Sequence, residues 1–406
     1  MPDSTLKMLL RKTHAAVTYG RQNGIIALYA LVRNKFRIGV ARITRINVSE
    51  DYGFVLGKPI GEAISPASVA SNTINWVIPP FGFGSGGHLN IMRFVSHLEG
   101  DGFDCNIIIV GEPRPASAGV VHKQLNDWFF PFKGRVYLGM ESAPPANITI
   151  ATSWQTAYYV RNFMPTLKRC YFVQDFEPCF YASGSDYAWA EDTYRFGFMG
   201  ITAGSWLRDK LSSEYGMPAE AFGFSYDREI YKPLPRPESD RRRIFFYARP
   251  PTPRRAFEMG ILVLEAVAQR LPDIEVILAG WDVNNYQIPF HHRNLGILPV
   301  EELPEVFSQC DAALVLSFSN ISLLPLELMA CGIPVISNRA PCTEWLLSDE
   351  NAKLAMATVP DLANAVCSVL ENPGERERLR SAGLAFANST SWAREGDKVA
   401  SILRRL

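Results

Sequence analysis

The run Leu314–Ser337, LVLSFSNISLLPLELMACGIPVIS, compresses a strand, a polar turn, a helix and a second strand into one short stretch. Ala312–Leu316 is a continuous apolar run of strand length, Ser317–Ser322 is a polar turn rich in Asn and Ser, and Leu324–Ala330 keeps helical spacing until Gly332 and Pro334 stop it. Together they predict a βαβ crossover in a parallel sheet. Free backbone N–H groups where Ser322 and Leu323 open the helix would face an anionic ligand at the carboxyl end of that sheet. Glu327 stands about one turn further in, suited to accepting hydrogen bonds from a sugar hydroxyl. The same pattern also describes an ordinary buried βαβ unit, so it speaks to fold before chemistry.

The 406 residues predict two domains or slightly more, and 47% hydrophobic with 12% aromatic residues is ample for large packed cores. Lys+Arg and Asp+Glu both number 41, so no global basic field argues for a nucleic-acid partner. The 7 cysteines are odd in number, scattered and never CxxC, which predicts a reducing compartment and no structural zinc. No run has the length of a membrane span and the N-terminus lacks a signal-peptide pattern, which predicts a cytoplasmic protein.

Around the opening run the chain alternates strand and helix. Residues 1–49 stand apart: Lys7, Arg11, Lys12, Arg21, Arg33, Lys35, Arg37, Arg42 and Arg45 interleave with apolar residues, and no acid falls between Asp3 and Glu50. Such a segment can lie on an anionic bilayer, placing the protein peripherally at the inner face of the plasma membrane, or dock on the protein's own surface. Residues 50–72 read as an extended connection. Ile74–Ile78 is a strand, followed by a glycine-rich turn and an amphipathic helix; Gly82, Gly84 and Gly87 formally satisfy GxGxxG, with Glu112 where an acid would bind a ribose. Gly86–Gly87 are read as a loop where backbone can approach a phosphate or sugar. Further strands and helices continue a doubly wound parallel sheet. Gln174, Asp175 and Glu177 follow the apolar run Cys170–Val173, so they are expected at a strand's carboxyl end on the first domain, where such sheets bind ligands or merely turn.

A polar, proline-rich stretch between Asp227 and Arg243 predicts an interdomain linker. The strand RIFFYARP then runs into a turn with Arg249, Arg254 and Arg255. Strands at that position and at Ala312–Leu316 neighbour each other in a doubly wound sheet, so a diphosphate would fit between the guanidinium groups and the helix N–H groups. That arrangement stabilises a departing diphosphate without a metal, and the chain contains no DxD to hold one.

The order of these features resembles the retaining GT-B glycosyltransferases from about Ile74 onward: a GG loop after the first strand, TAGSWLRDKLSSEYGMP, an arginine after the linker strand, LGILPVEELPEVFSQCDAALVLS and LELMACGIPVIS. YFVQDFEPCFYASGSDYAWAEDTYRF and ARPPTPRRAF look like bacterial rhamnosyltransferases that use dTDP-L-rhamnose to build surface glycans. The resemblance implies an α/β GT-B fold of two Rossmann-like domains facing a cleft: a basic segment and connection (1–72), an acceptor domain (73–235), a donor domain (240–390) and a C-terminal helix (391–406) packing back on the first. It implies that Arg249 with Arg254 or Arg255 holds the diphosphate, that Glu327 binds the nucleotide ribose, and that Gly86–Gly87 approach the donor phosphate. Gln174, Asp175 and Glu177 are expected on the catalytic side, orienting the acceptor or stabilising charge at the anomeric carbon. The implied partners are a nucleotide-sugar donor and a glycan or lipid-linked saccharide acceptor, with no metal. The family usually has a second glutamate eight residues ahead of the one at Glu327, and here that position is Ser319, which fits a deoxysugar with fewer hydroxyls to grip. The usual lysine after the arginine turn is also an arginine, keeping the charge and changing its geometry.

Two other readings remain open from the residues. One is an NAD(P)-dependent oxidoreductase built on the glycine fingerprint; against it, the diphosphate features fall in the second domain. The other is a non-catalytic sugar-nucleotide or glycan-binding protein of the same fold, suggested by Ser319.

Overall fold

The computed structural model describes residues 47–112, 117–236 and 239–406. Most of the basic segment expected at a bilayer lies outside them. Two sheets carry the fold. In the first the strands are β1 (Thr73–Ile78), β2 (Asp104–Ile109), β3 (Val136–Leu138), β4 (Ala146–Ala151), β5 (Thr166–Val173), β6 (Met199–Ala203) and β7 (Ala219–Phe222), in the order β3-β2-β1-β4-β5-β6-β7. The second holds β8 (Arg242–Tyr247), β9 (Ile274–Ala279), β10 (His292–Asn294), β11 (Ala312–Val315), β12 (Val335–Asn338) and β13 (Lys353–Ala355), in the order β10-β9-β8-β11-β12-β13. Every pairing in the second sheet is parallel, and helices fill the crossovers except the one from β9 to β10. The helix expected over Leu324–Ala330 spans those residues, and Pro325 in its first turn gives up only an N–H that a helix start leaves unpaired.

The chain forms two compact units: residues up to Phe172 with Trp189–Gly200 and Ala400–Leu406, and Val173–Ala188 with Ile201–Val399. In the first, Phe172 takes the edges of Trp76 and Phe94 at 5.5 and 5.3 Å between centroids, all three rings buried. The stretch 50–72 departs from a plain extended connection. Val48–Tyr52 is a helix and Gly53–Leu56 a 3-10 turn, because Phe54 packs on Trp154, Tyr158 and Tyr159 and Tyr52 on Trp189. Burying aromatic area outweighs the freedom of an extended strand. Arg404, near the end of the helix Trp392–Arg404, pairs with Asp101 at 2.5 Å.

The second unit's core joins Ile244 and Phe246, Val276 and Leu278, Leu314 and Ile336 to Leu264 and Val366 from the covering helices, all buried. Each such side chain contributes about 1.5–3 kcal/mol of transfer free energy. The stretch expected as a linker is tied down at Arg236, which makes two bonds of 2.6 and 2.7 Å to the buried Asp311 carboxylate. Among the described residues, no helix is long and apolar enough to cross a membrane.

Candidate active site

In the second sheet β8 lies directly beside β11, with Ile244 opposite Ala312 and Phe246 opposite Leu314. Their exit loops therefore run side by side, and the Phe318 N–H donates to the Arg254 carbonyl at 2.9 Å. The three arginines of this turn take different positions. Arg255 points inward and donates to Ser317 Oγ at 2.5 Å and the Asn320 carbonyl at 3.1 Å; burial lowers its pKa, opposed by the Asp175 charge. Arg254 brings Nε within 3.3 Å of Asp175 Oδ2 and lays its guanidinium 4.0 Å above the Phe180 ring. Arg249 is half-buried and donates to the Tyr247 hydroxyl at 2.9 Å, with no carboxylate in ion-pair range among the described residues. A neutral phenol leaves the guanidinium fork open to an anion.

Asp175, expected on the first domain, makes its contacts with the loop after β11. Oδ1 accepts from the Asn320 N–H at 2.7 Å and from the Phe176 N–H at 2.8 Å, while Oδ2 accepts from Ser319 Oγ at 3.0 Å and faces Arg254. The carboxylate is 8% exposed with both oxygens occupied. It is a holding group for the loop, and chemistry at a substrate would require it to release partners already bound. Asn320 ties the same loop elsewhere: its side-chain N–H groups donate to the carbonyls of Gln174 and Ala203, and its oxygen accepts from the Trp345 indole at 2.7 Å. Glu177 is buried at the start of a 3-10 turn that runs to Phe180.

Ser319 sits where the resemblance leads one to expect a glutamate, and it meets a carboxylate supplied by another segment. Leu323 forms the N-cap of the helix Leu324–Ala330 without a side-chain cap, and Ser322 precedes it, half-buried. Glu327 in the first turn accepts from the buried Tyr231 hydroxyl; burial first, and then this carboxylate, push that phenol far above its ordinary pKa.

Gly86 and Gly87, in the other unit, are the first two residues of the helix Gly86–Gly100 after Ser85. Both are exposed, and a Cβ built on Gly86 meets nothing within 4 Å. Beside them His88 contacts Ser85 Oγ at 2.7 Å and the Pro79 carbonyl at 3.3 Å, and burial lowers its pKa to about 4. The carbonyl can only accept, so Nε2 carries the proton and Nδ1 accepts from Ser85.

The structure thus brings together Asp175, Arg254, Arg255 and the loop after β11, while Arg249 rests on the Tyr247 hydroxyl. Sequence reading did not single out Asn320 or Trp345. The SFSN turn offered the one available signal, an amide ending a polar run after a fully apolar strand.

The fold is that of the GT-B glycosyltransferases. Anabaena Alr3699/HepE in complex with UDP-glucose superposes with a TM-score of 0.64 at 16% identity, covering 82% of this chain and 100% of that one. A glycosyltransferase from Rickettsia africae does so with a TM-score of 0.60 at 12% identity, covering 82% and 98%. Residues 242–367 match the WsaF C-terminal domain family and residues 142–203 the WsaF N-terminal domain family. The O-antigen biosynthesis protein RfbC of Myxococcus xanthus is 32% identical over 365 residues, covering 82% of this chain and 28% of RfbC. The chain therefore spans under a third of that relative's length.

Proposed function

We propose that this protein is a glycosyltransferase that moves a hexose from a nucleoside diphosphate to a growing glycan, with L-rhamnose from dTDP-L-rhamnose as the donor. The observation that carries the reading is Arg249: a half-buried guanidinium at a strand's carboxyl end whose protein partner is a neutral hydroxyl. Such a group stabilises the charge that grows on a departing diphosphate, and a charged hydrogen bond there is worth about 1.5–3 kcal/mol. The Ser322–Leu323 backbone and Glu327 would meet the nucleotide from the adjoining loop, and Gly86–Gly87 would approach the donor phosphate. Retention of configuration requires a nucleophile or front-face attack helped by the leaving group. With Asp175 committed to Ser319, Asn320 and Arg254, the leaving-group route is favoured, and Gln174 and Glu177 remain the candidates for the acceptor side.

The name of RfbC supports a glycan product, and UDP-glucose on HepE supports a sugar nucleotide as the occupant. The choice of rhamnose rests on the sequence resemblance around YFVQDFEP and on Ser319, which brings a short hydroxyl where a sugar-gripping acid is usual. The test is calorimetry of the full chain with dTDP, UDP, GDP and NAD, followed by a transfer assay with dTDP-L-rhamnose. At 100 times its dissociation constant the right nucleotide should stabilise the fold by about 2.7 kcal/mol. Tight binding of NAD with none of the nucleoside diphosphates overturns the reading, and donor binding without hydrolysis or transfer leaves a sugar-nucleotide-binding protein.

A further inference from the structure

A shallow cavity of about 440 Å³, largely open to solvent, lies between the helix Ser205–Tyr215 and the short helix Pro341–Glu344, both in the second unit. That volume falls in the range of about 300–1,000 Å³ usual for small-ligand sites. Two indoles line it. Trp345 is preset: its N–H is held by Asn320, Phe224 packs edge-on at 5.1 Å, and Gly204 backs its ring. Gly204 has φ 93, and a Cβ there would stand 2.5 Å from the ring, so a bare backbone is what lets the indole lie flat. Trp206 is the opposite case. It is half-buried at the cavity, and among the described residues nothing accepts its indole N–H and no ring packs on it.

The polar lining carries two carboxylates, Asp209 and Glu214, and one ammonium, Lys210. Asp209 Oδ1 takes Arg208 Nε at 2.8 Å and Glu214 Oε2 takes Lys210 Nζ at 2.6 Å, which leaves the second oxygen of each carboxylate able to accept. Ser205 and Ser213 add hydroxyls. Aromatic faces beside acceptors and hydroxyls suit a ligand with an apolar C–H face and a rim of hydroxyl groups. They do not suit a diphosphate, which would meet two carboxylates.

We propose that this cavity is a saccharide subsite that takes a pyranose of the acceptor glycan, its ring stacked on Trp206 against the fixed wall of Trp345. The acceptor assignment rests on the glycosyltransferase reading above; the chemistry of the cavity stands without it. Through Asn320, the wall of this cavity shares its hydrogen bonds with Asp175 and the loop after β11.

The test uses the full chain, saturation-transfer NMR and calorimetry, with methyl α-L-rhamnopyranoside, an α-linked rhamnotriose and maltotriose as probes. A trisaccharide should bind, and Trp206→Ala should weaken it about tenfold or more with the affinity for dTDP or UDP unchanged. Trp206→Phe should recover part of the loss. The double variant Asp209→Asn, Glu214→Gln, which leaves both indoles in place, should weaken the saccharide as well and serves if Trp206→Ala fails to fold. Absence of binding by all three probes, or equal saccharide affinity in wild type and Trp206→Ala, overturns the proposal. Saccharide binding that depends on Trp206 in a chain that binds no nucleoside diphosphate would count against the glycosyltransferase reading and leave the subsite standing.

Discussion

The loops after β11 and after β1 both stand at the carboxyl ends of parallel strands, and they are built in opposite ways. After β11 nearly every polar group is engaged: Ser317 with Arg255, Ser319 and the Asn320 N–H with Asp175, and the Asn320 side chain with Gln174, Ala203 and Trp345. After β1 the loop is aromatic and glycine-rich, with Phe83 79% exposed and Gly84 at φ 75. A buried polar network holds one shape because each unmade bond is costly, whereas glycine and exposed rings leave backbone accessible. The difference teaches that residue type at a strand exit does not decide whether a group meets a ligand. Asp175 and Arg255 have the right chemistry and are bound up in the loop's own network; Arg249 has the chemistry of Arg255 and, among the described residues, is held at the Tyr247 hydroxyl alone.

The sharpest way to break the comparison is Asp175→Ala. It strips the Asn320 N–H, Ser319 Oγ and Arg254 of a buried carboxylate at once, so the fold should lose about 3–5 kcal/mol, read as a fall in denaturation midpoint. A loss below about 1 kcal/mol would mean that the loop is held by other bonds.

Arg249→Ala tests the other side. The variant should keep the wild-type melting temperature while nucleoside diphosphate affinity drops by about 1.5–3 kcal/mol in calorimetry and transfer is lost. A protein that melts well below wild type with unchanged nucleotide affinity would make Arg249 structural.

His88 gives the loop after β1 a pH signature. Its pKa falls to about 4 in the fold, against about 6.5 in an unfolded chain, because burial disfavours the imidazolium. Between those values the unfolded state binds more protons, so stability contributed by this group rises with pH from about 4 to 6.5 and is lost as pH falls through that window. His88→Asn should flatten this part of the profile relative to wild type, and two parallel profiles would show that the imidazole is not what titrates.

The smallest effect is expected at Gly86, where a Cβ has open space in the first turn of a helix. Gly86→Ala should stabilise the fold by about 0.4–1 kcal/mol, since the unfolded chain loses more freedom than the helix. If the donor phosphate approaches this backbone, transfer should fall in the same variant. Higher stability with undiminished transfer would remove Gly86 from the site.

The sequence by itself determined the alternation of strands and helices, because burial on one or both faces imposes a period on neighbouring residues. Ala312–Val315, Leu324–Ala330 and Val335–Asn338 could be read from apolar runs and from the Gly and Pro that stop them. The doubly wound order, which sets the arginine turn beside the loop after β11, followed from the same alternation. Tyr52 and Phe54 show where local reading ran out: their rings turn an apparent connection into a packed helix and turn by meeting residues about a hundred positions or more further on. Only the tertiary structure decided what each polar residue does. Asp175 finds partners at 319 and 320, Asn320 finds 174, 203 and 345, and Arg255 finds 317, and no local spacing encodes pairs so far apart. Period governs which face a residue takes, but a hydrogen bond depends on the distance and direction between two atoms, and those exist only after the chain has folded.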